Sequence, residues 1–178
     1  MSTSQPKTLS QPRDQYSSQI LIEEYALQLG QKLSQKGWRV SCAESCTGGG
    51  IAYAITSVAG SSSWFEQSWV TYANDAKQHL LGVQAETLEK HGAVSAETAT
   101  EMLNGVIAKS GAEVAVSVTG IAGPGGGSQL KPVGLVWFGF AVGQQQHILA
   151  QQFFGSRTQV RAQAIAFALE FLIERLVD

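Results

Sequence analysis

Cysteine, histidine and clustered positive charge are all scarce in this chain, and each scarcity removes a class of protein. Its 178 residues include 2 cysteines and 3 histidines. Cys42 and Cys46 stand four apart, which is not a C-x-x-C motif, and a reducing compartment keeps both as thiols. They read as small buried hydrophobes. His79, His91 and His147 fall in unrelated segments. No His/Cys/carboxylate spacing suggests a zinc or iron site, and a Ser-His-Asp triad is disfavoured. Lys and Arg number 12 against 14 Asp and Glu, for a net charge of -2. A nucleic-acid protein should carry a basic stripe, and none is visible, so no nucleic-acid partner is expected. No stretch approaches the roughly 20 apolar residues of a membrane span. The polar N-terminus, Met1 to Ser18, has no apolar core of a signal peptide. A cytoplasmic protein without membrane contact is expected.

What is present is an ordinary globular composition, 44% hydrophobic and 15% charged, with length enough for one full core. The low charge also permits a homodimer. Residues 1–17, rich in Ser, Gln, Thr and Pro, are expected to be a disordered polar tail. Residues 18–178 are expected to form a single domain, since no internal repeat or linker interrupts them.

Leu21, Tyr25, Leu29 and Leu33 recur at helical spacing, predicting a helix from near Ser18 to Lys36 with Gly37 as its stop. A short buried strand over 38–42, a tight turn over 45–49 and a helix through Ile51, Ala54 and Ile55 follow. Then come a loop over 60–63, a strand within 64–72 and a short helix over 74–81. A helix follows Ala85, and Ser95 caps another that runs to Lys109 with Glu97 in its first turn. Residues 114–119 form a buried strand and 120–131 a Gly/Pro loop. Residues 133–142 and 147–154 read as an antiparallel hairpin around the polar turn 143–146. Ser156 caps a last helix whose apolar stripe, Val160, Ala164, Ala168, Phe171 and Leu172, descends to Leu176. This alternation predicts an α/β fold: a three-layer α/β/α sandwich around a mixed, mostly parallel sheet of about five strands.

Ligands of open α/β sheets bind beyond the carboxyl ends of the strands. Three segments leave strands there: 44–49, 72–77 and 119–127. The Ser45-Cys46-Thr47-Gly48-Gly49 turn puts small residues where a ligand can approach backbone, with helix N-terminal N–H groups suited to a phosphate or an oxyanion. The same glycines equally suit any tight turn that needs positive φ, and the turn is neither G-x-G-x-x-G nor a P-loop. Lys77 has two readings as well. On the surface it is solvated; desolvated beside Ser45 it becomes a base, which at neutral pH needs a pKa near about 7–8 rather than about 10.4. A Ser–Lys pair would then run acyl transfer without histidine. Arg157 and Arg161 share one face at the start of the last helix. Positive charge there opposes the helix dipole by about 0.3–1 kcal/mol each. A bound anion reverses that cost, and arginine forks suit phosphate; a solvated face or a distant carboxylate is the alternative.

Taken together, Ala43-Glu44-Ser45-Cys46-Thr47-Gly48-Gly49, Gly60-Ser61-Ser62-Ser63-Trp64-Phe65, Val70-Thr71-Tyr72-Ala73-Asn74-Asp75-Ala76-Lys77, His91-Gly92-Ala93-Val94-Ser95 and Ser117-Val118-Thr119-Gly120-Ile121-Ala122-Gly123-Pro124, with Lys131-Pro132-Val133-Gly134, resemble the C-terminal domain of the competence/damage-inducible CinA family. That family includes stand-alone nicotinamide-mononucleotide deamidases. The resemblance covers about residues 18–178 and keeps the family's motif order. It implies metal-free, cofactor-free hydrolysis of nicotinamide mononucleotide to nicotinic acid mononucleotide and ammonia, in pyridine-nucleotide recycling. By motif, Ser45 would be the nucleophile, with Ser62 in reserve, and Lys77 its base. Ser62 and Tyr72 would relay protons or position the amide. Thr119, Gly120 and the loop beyond would contact substrate. Thr47, Gly48 and Gly49 would offer backbone donors, and Arg161, with Arg157 behind it, would take the phosphate. Gly125 departs from the Asp or Thr common in the family. The chain also lacks the N-terminal molybdopterin-binding-like domain of full-length members, so a pyrophosphatase activity tied to that domain is not expected. The alternative is a non-catalytic nucleotide- or phosphate-binding module, or a competence-related partner-binding module.

Overall fold

A computed structural model describes residues 15–176. Of the tail expected over 1–17, residues 1–14 lie outside them. Helix α1 (Gln15–Lys36) starts three residues before the expected boundary, because extending an existing helix by a few polar residues costs little. Strand β1 (Val40–Glu44) and helix α2 (Gly50–Thr56) follow, then a single 3-10 turn (Ser61–Ser63). Next come β2 (Phe65–Val70), α3 (Asn74–Leu81), α4 (Ala85–His91) and α5 (Ala96–Ser110). The chain closes with β3 (Val114–Gly120), β4 (Leu135–Val142), β5 (Gln145–Gln152) and α6 (Arg157–Arg175).

The sheet order is β2-β1-β3-β4-β5. β1 is parallel to both β2 and β3, and β4 is antiparallel to both β3 and β5. Only β4 therefore runs against the others, as expected for a mixed, mostly parallel sheet. The central β1 is buried along its whole length, which is why it reads as an apolar run rather than an alternation. Its alternate residues nevertheless serve different layers. Val40 and Cys42, with Val114, Val116 and Val118 of β3, pack under α1, α2 and α6. Ala43, Ala115 and Ala141 face Met102, Leu103 and Val106 of α5. The small side chains on that second face let α5 lie close. A Cβ on Gly139 would stand 2.6 Å from Ser117 Oγ and 3.1 Å from the Ala99 carbonyl.

Boundaries within the sheet also differ from the sequence reading. β1 begins two residues late, where the Val40 N–H first finds the Trp64 carbonyl at 2.8 Å. The hairpin turn is also tighter than expected: Val142 pairs directly with Gln145, so only Gly143 and Gln144 reverse the chain. Gln145 and Gln146 join β5 because it is an edge strand, where polar side chains meet water.

Both expected serine caps form. Ser95 Oγ accepts from the Thr98 N–H. Ser156 and Gln159 form a reciprocal capping box at the start of α6, the helix that carries Arg157 and Arg161. Ser156→Ala should therefore destabilise the fold by about 1 kcal/mol. Urea unfolding should show a lower midpoint at unchanged slope, and an unmoved midpoint would remove the cap from the stability account.

Candidate active site

β1, β2 and β3 are parallel and end at one edge of the sheet, and the chemistry-bearing side chains gather there. As β1 runs out, the Ser45 N–H donates to the Val118 carbonyl at 3.0 Å, fixing Ser45 at the mouth of the strand. The Gly48 N–H then returns to the Ser45 carbonyl at 3.0 Å. Gly48 has φ +59° and Gly49 φ +89°. L side chains are strained at such angles, so this reversal demands its two glycines.

Glu44 holds the turn from inside, a role that the sequence reading missed. Its carboxylate is fully buried. It accepts the Thr47 hydroxyl at 2.6 Å, the Ile51 N–H at 3.0 Å and the Ala52 N–H at 2.9 Å. The first turn of α2 is thus capped by the protein's own anion. This corrects the expectation of outward donors there. The Gly48 N–H is spent on Ser45, and the Gly50 N–H is spent on the Thr47 carbonyl. Among the described residues, the N–H groups of Cys46, Thr47 and Gly49 donate to no oxygen. The available signal was a carboxylate ending an otherwise buried strand, just before a helix.

Lys77 enters from α3 and is 1% exposed. Its Nζ lies 2.8 Å from the Thr71 carbonyl, 3.2 Å from the Tyr72 carbonyl and 3.1 Å from Ser45 Oγ. Hydrogen counting gives this arrangement its meaning. A neutral amine has two N–H bonds, which the two carbonyls take, and one lone pair, which then faces the serine hydroxyl. Burial pushes the Lys77 pKa below 10.5, toward that neutral form. The adjacent Cys46 goes the other way: burial raises its thiol to about 12, and the Cys42 thiol also lies well above its usual value. Both cysteines are free and buried. As neutral thiols they are poor nucleophiles, and the hydroxyl hydrogen-bonded to Lys77 is that of Ser45.

A cavity of about 220 Å³ opens over this pair, lined by Ser45, Tyr72, Lys77, Thr119, Gly120 and Arg157 among others. Thr119 donates its hydroxyl proton to the Ala93 carbonyl at 2.7 Å, so its oxygen can only accept toward the cavity. Arg157 spans the mouth, donating to the Tyr72 hydroxyl at 2.8 Å and the Gly123 carbonyl at 2.9 Å. Two expected residues stand apart. Arg161 does not line the cavity; it lies one helical turn deeper and donates to the Thr47 carbonyl at 2.7 Å. The expected order of the arginines is therefore reversed, with Arg157 at the cavity. Ser62 sits just before β2, at the strand end paired with Val40. Within one copy of the chain, the length of β1, roughly 16 Å at strand rise, separates it from Ser45.

These features define a class: three-layer α/β proteins that present a serine hydroxyl and a buried lysine amine together at the carboxyl edge of the sheet. Among the described residues no group of His, Cys, Asp and Glu side chains could hold a metal ion. The family model described as CinA C-terminal domain matches residues 22–176, and the chain belongs to that family. It is 53% identical over 162 residues to the nicotinamide-nucleotide amidohydrolase PncC of Enterobacter agglomerans, covering 90% of this chain and 98% of that protein. The protein of the same name from Escherichia coli K12 is 50% identical over 152 residues, covering 85% and 92%. The crystal structure of the competence/damage inducible protein CihA from Agrobacterium tumefaciens superposes with a TM-score of 0.84 at 47% identity, covering 86% of this chain and 94% of that one.

The capping role of Glu44 is directly testable. Glu44→Gln keeps the shape but turns one acceptor into a donor facing other donors. It should cost about 1–3 kcal/mol in chemical denaturation. A variant as stable as the parent would show that the carboxylate is dispensable to the turn.

Proposed function

We propose that this chain is a nicotinamide-nucleotide amidohydrolase, converting nicotinamide mononucleotide to nicotinic acid mononucleotide and ammonia through Ser45 and Lys77. The observation that carries this reading is the buried lysine whose two carbonyl partners leave its third position for Ser45 Oγ. The names of the relatives at 50–53% identity supply the substrate.

In this reading neutral Lys77 takes the Ser45 proton as the hydroxyl oxygen attacks the carboxamide carbon. The negative oxygen of the tetrahedral intermediate meets the N–H of Cys46, the residue after the nucleophile. Protonated Lys77 then delivers its proton to the amide nitrogen, and ammonia leaves. A water molecule, deprotonated by Lys77, attacks the resulting Ser45 ester, and Lys77 returns that proton to Ser45 Oγ as the acyl–oxygen bond breaks and the carboxylate is released. Thr119, restricted to accepting, suits the NH₂ of a carboxamide. The cavity, at about 220 Å³, falls below the usual range of about 300–1,000 Å³ for whole-ligand sites. It suits the pyridine carboxamide, leaving the phosphate at the mouth beside Arg157. Tyr72 positions that arginine rather than relaying protons. Cytoplasmic placement and a homodimer belong to the same proposal. Two unpaired cysteines suit a reducing compartment, and exposed Tyr53 and Val70 offer apolar surface to a second copy.

The test is ammonia release from the mononucleotide without added metal. Ser45→Ala and Lys77→Met should each lower kcat by about 10²–10⁴-fold. Because the neutral amine is the active form and burial lowers its pKa, kcat/KM should rise with pH through a value below 10.5. Lys77→Arg should abolish that rise. Full activity in either the Ser45 or the Lys77 variant would overturn the pair. Thermal stabilisation by the mononucleotide without turnover would favour a binding module instead.

A further inference from the structure

Resting on the amidohydrolase reading, we propose that Arg161 is a positioning residue that strengthens the Cys46 oxyanion donor through two intervening peptide groups, and is not a phosphate ligand. The connection is continuous. Arg161 Nη2 donates to the Thr47 carbonyl at 2.7 Å. That carbonyl shares its peptide with the Gly48 N–H, which donates to the Ser45 carbonyl at 3.0 Å. The Ser45 carbonyl in turn shares its peptide with the Cys46 N–H. This last N–H donates to no oxygen among the described residues, and it belongs to a residue that lines the cavity next to Ser45.

Each hydrogen bond in such a chain polarises the next peptide in the same sense. A permanent positive charge at one end therefore makes the N–H at the other end more positive. The cationic end lies outside the cavity, and the donor end belongs to a residue that lines it. The turn is shaped for this approach: a side chain on Gly48 would meet Arg161 Nη2 at 3.3 Å.

Three observations separate Arg161 from a substrate contact. It does not line the cavity, whereas Arg157 does. Its Nε is buried without a hydrogen-bond partner, and so is closed to a ligand in the cleft. Among the described residues no carboxylate pairs with its guanidinium, so its charge is left to act on the turn above it. Substrate recognition by charge falls to Arg157. It reaches the mouth of the cavity, and its present partners are a neutral hydroxyl and a carbonyl that an anion can replace.

The decisive experiment compares wild type, Arg161→Gln, Arg161→Lys and Arg157→Gln on two substrates, nicotinamide mononucleotide and nicotinamide riboside, which lacks the phosphate. Arg161→Gln should lower kcat by about tenfold on both substrates alike, with KM unchanged, because it weakens rather than removes an oxyanion donor. Arg161→Lys, whose ammonium can still reach Thr47, should recover part of that loss. Arg157→Gln should raise KM for the mononucleotide by a larger factor than KM for the riboside. Should the glutamine variant not fold, the lysine variant decides: a smaller kcat loss common to both substrates supports the role. Wild-type kcat in a folded Arg161 variant, or a defect confined to the phosphorylated substrate, overturns it. Wild type inert on both substrates would overturn the amidohydrolase reading itself, a distinct outcome.

Discussion

The buried carboxylate of Glu44 is the constraint on which the site depends. An ionised carboxylate removed from water is costly unless donors replace its hydration. Here one hydroxyl and two helix N–H groups do so. Those bonds join the end of β1 to the start of α2, so the chain between them has little freedom. Ser45 is the first residue of that short link. Its backbone is tied to β3 on one side and to Gly48 on the other. The hydroxyl is aimed by a closed framework and not by its own rotamer preference alone.

The second half of the site comes from the edge of the sheet. After β2 the chain turns inward, so the Thr71 and Tyr72 carbonyls face the Lys77 amine. The Thr71 N–H meanwhile donates to the Glu44 carbonyl at 2.9 Å, so the same residue anchors both halves. Main-chain carbonyls make a particular choice of partner for a buried lysine. They accept its protons without adding the negative charge that would hold it permanently protonated. A carboxylate in their place would have made a salt bridge and held the lysine protonated.

The layered fold was legible because its signals are local. Helical spacing, serine caps at Ser95 and Ser156, and apolar strands bounded by glycine each name an element without tertiary knowledge. Membership of the site was partly legible too: Ser45, Tyr72, Lys77, Thr119 and Arg157 do line one cavity. What could not be read was direction. Sequence spacing puts Arg157 and Arg161 on one face, but only packing decides which reaches the cleft and which lies under the turn. Ser62 failed for a related reason. Nearness in a motif says nothing about which end of a strand a residue occupies, and Ser62 precedes β2 while Tyr72 follows it. Glu44 was harder to read because two of its partners are backbone N–H groups, which carry no sequence signal; only its place at the end of a buried strand pointed to it.

That correction about direction also explains how the site holds two arginines near a buried amine whose pKa burial lowers. Arg157 is exposed at the mouth, where water screens its charge. Arg161 is partly buried, but its guanidinium donates to the Thr47 carbonyl. Glu44 lies between α2 and the sheet, with its charge spent on donors. Lys77 itself meets only neutral oxygens. The low overall charge of the chain thus has a local counterpart: formal charges surround the reacting atoms but do not touch them. In the proposed reaction, proton transfer between Ser45 and Lys77 would take place among uncharged hydrogen-bond partners.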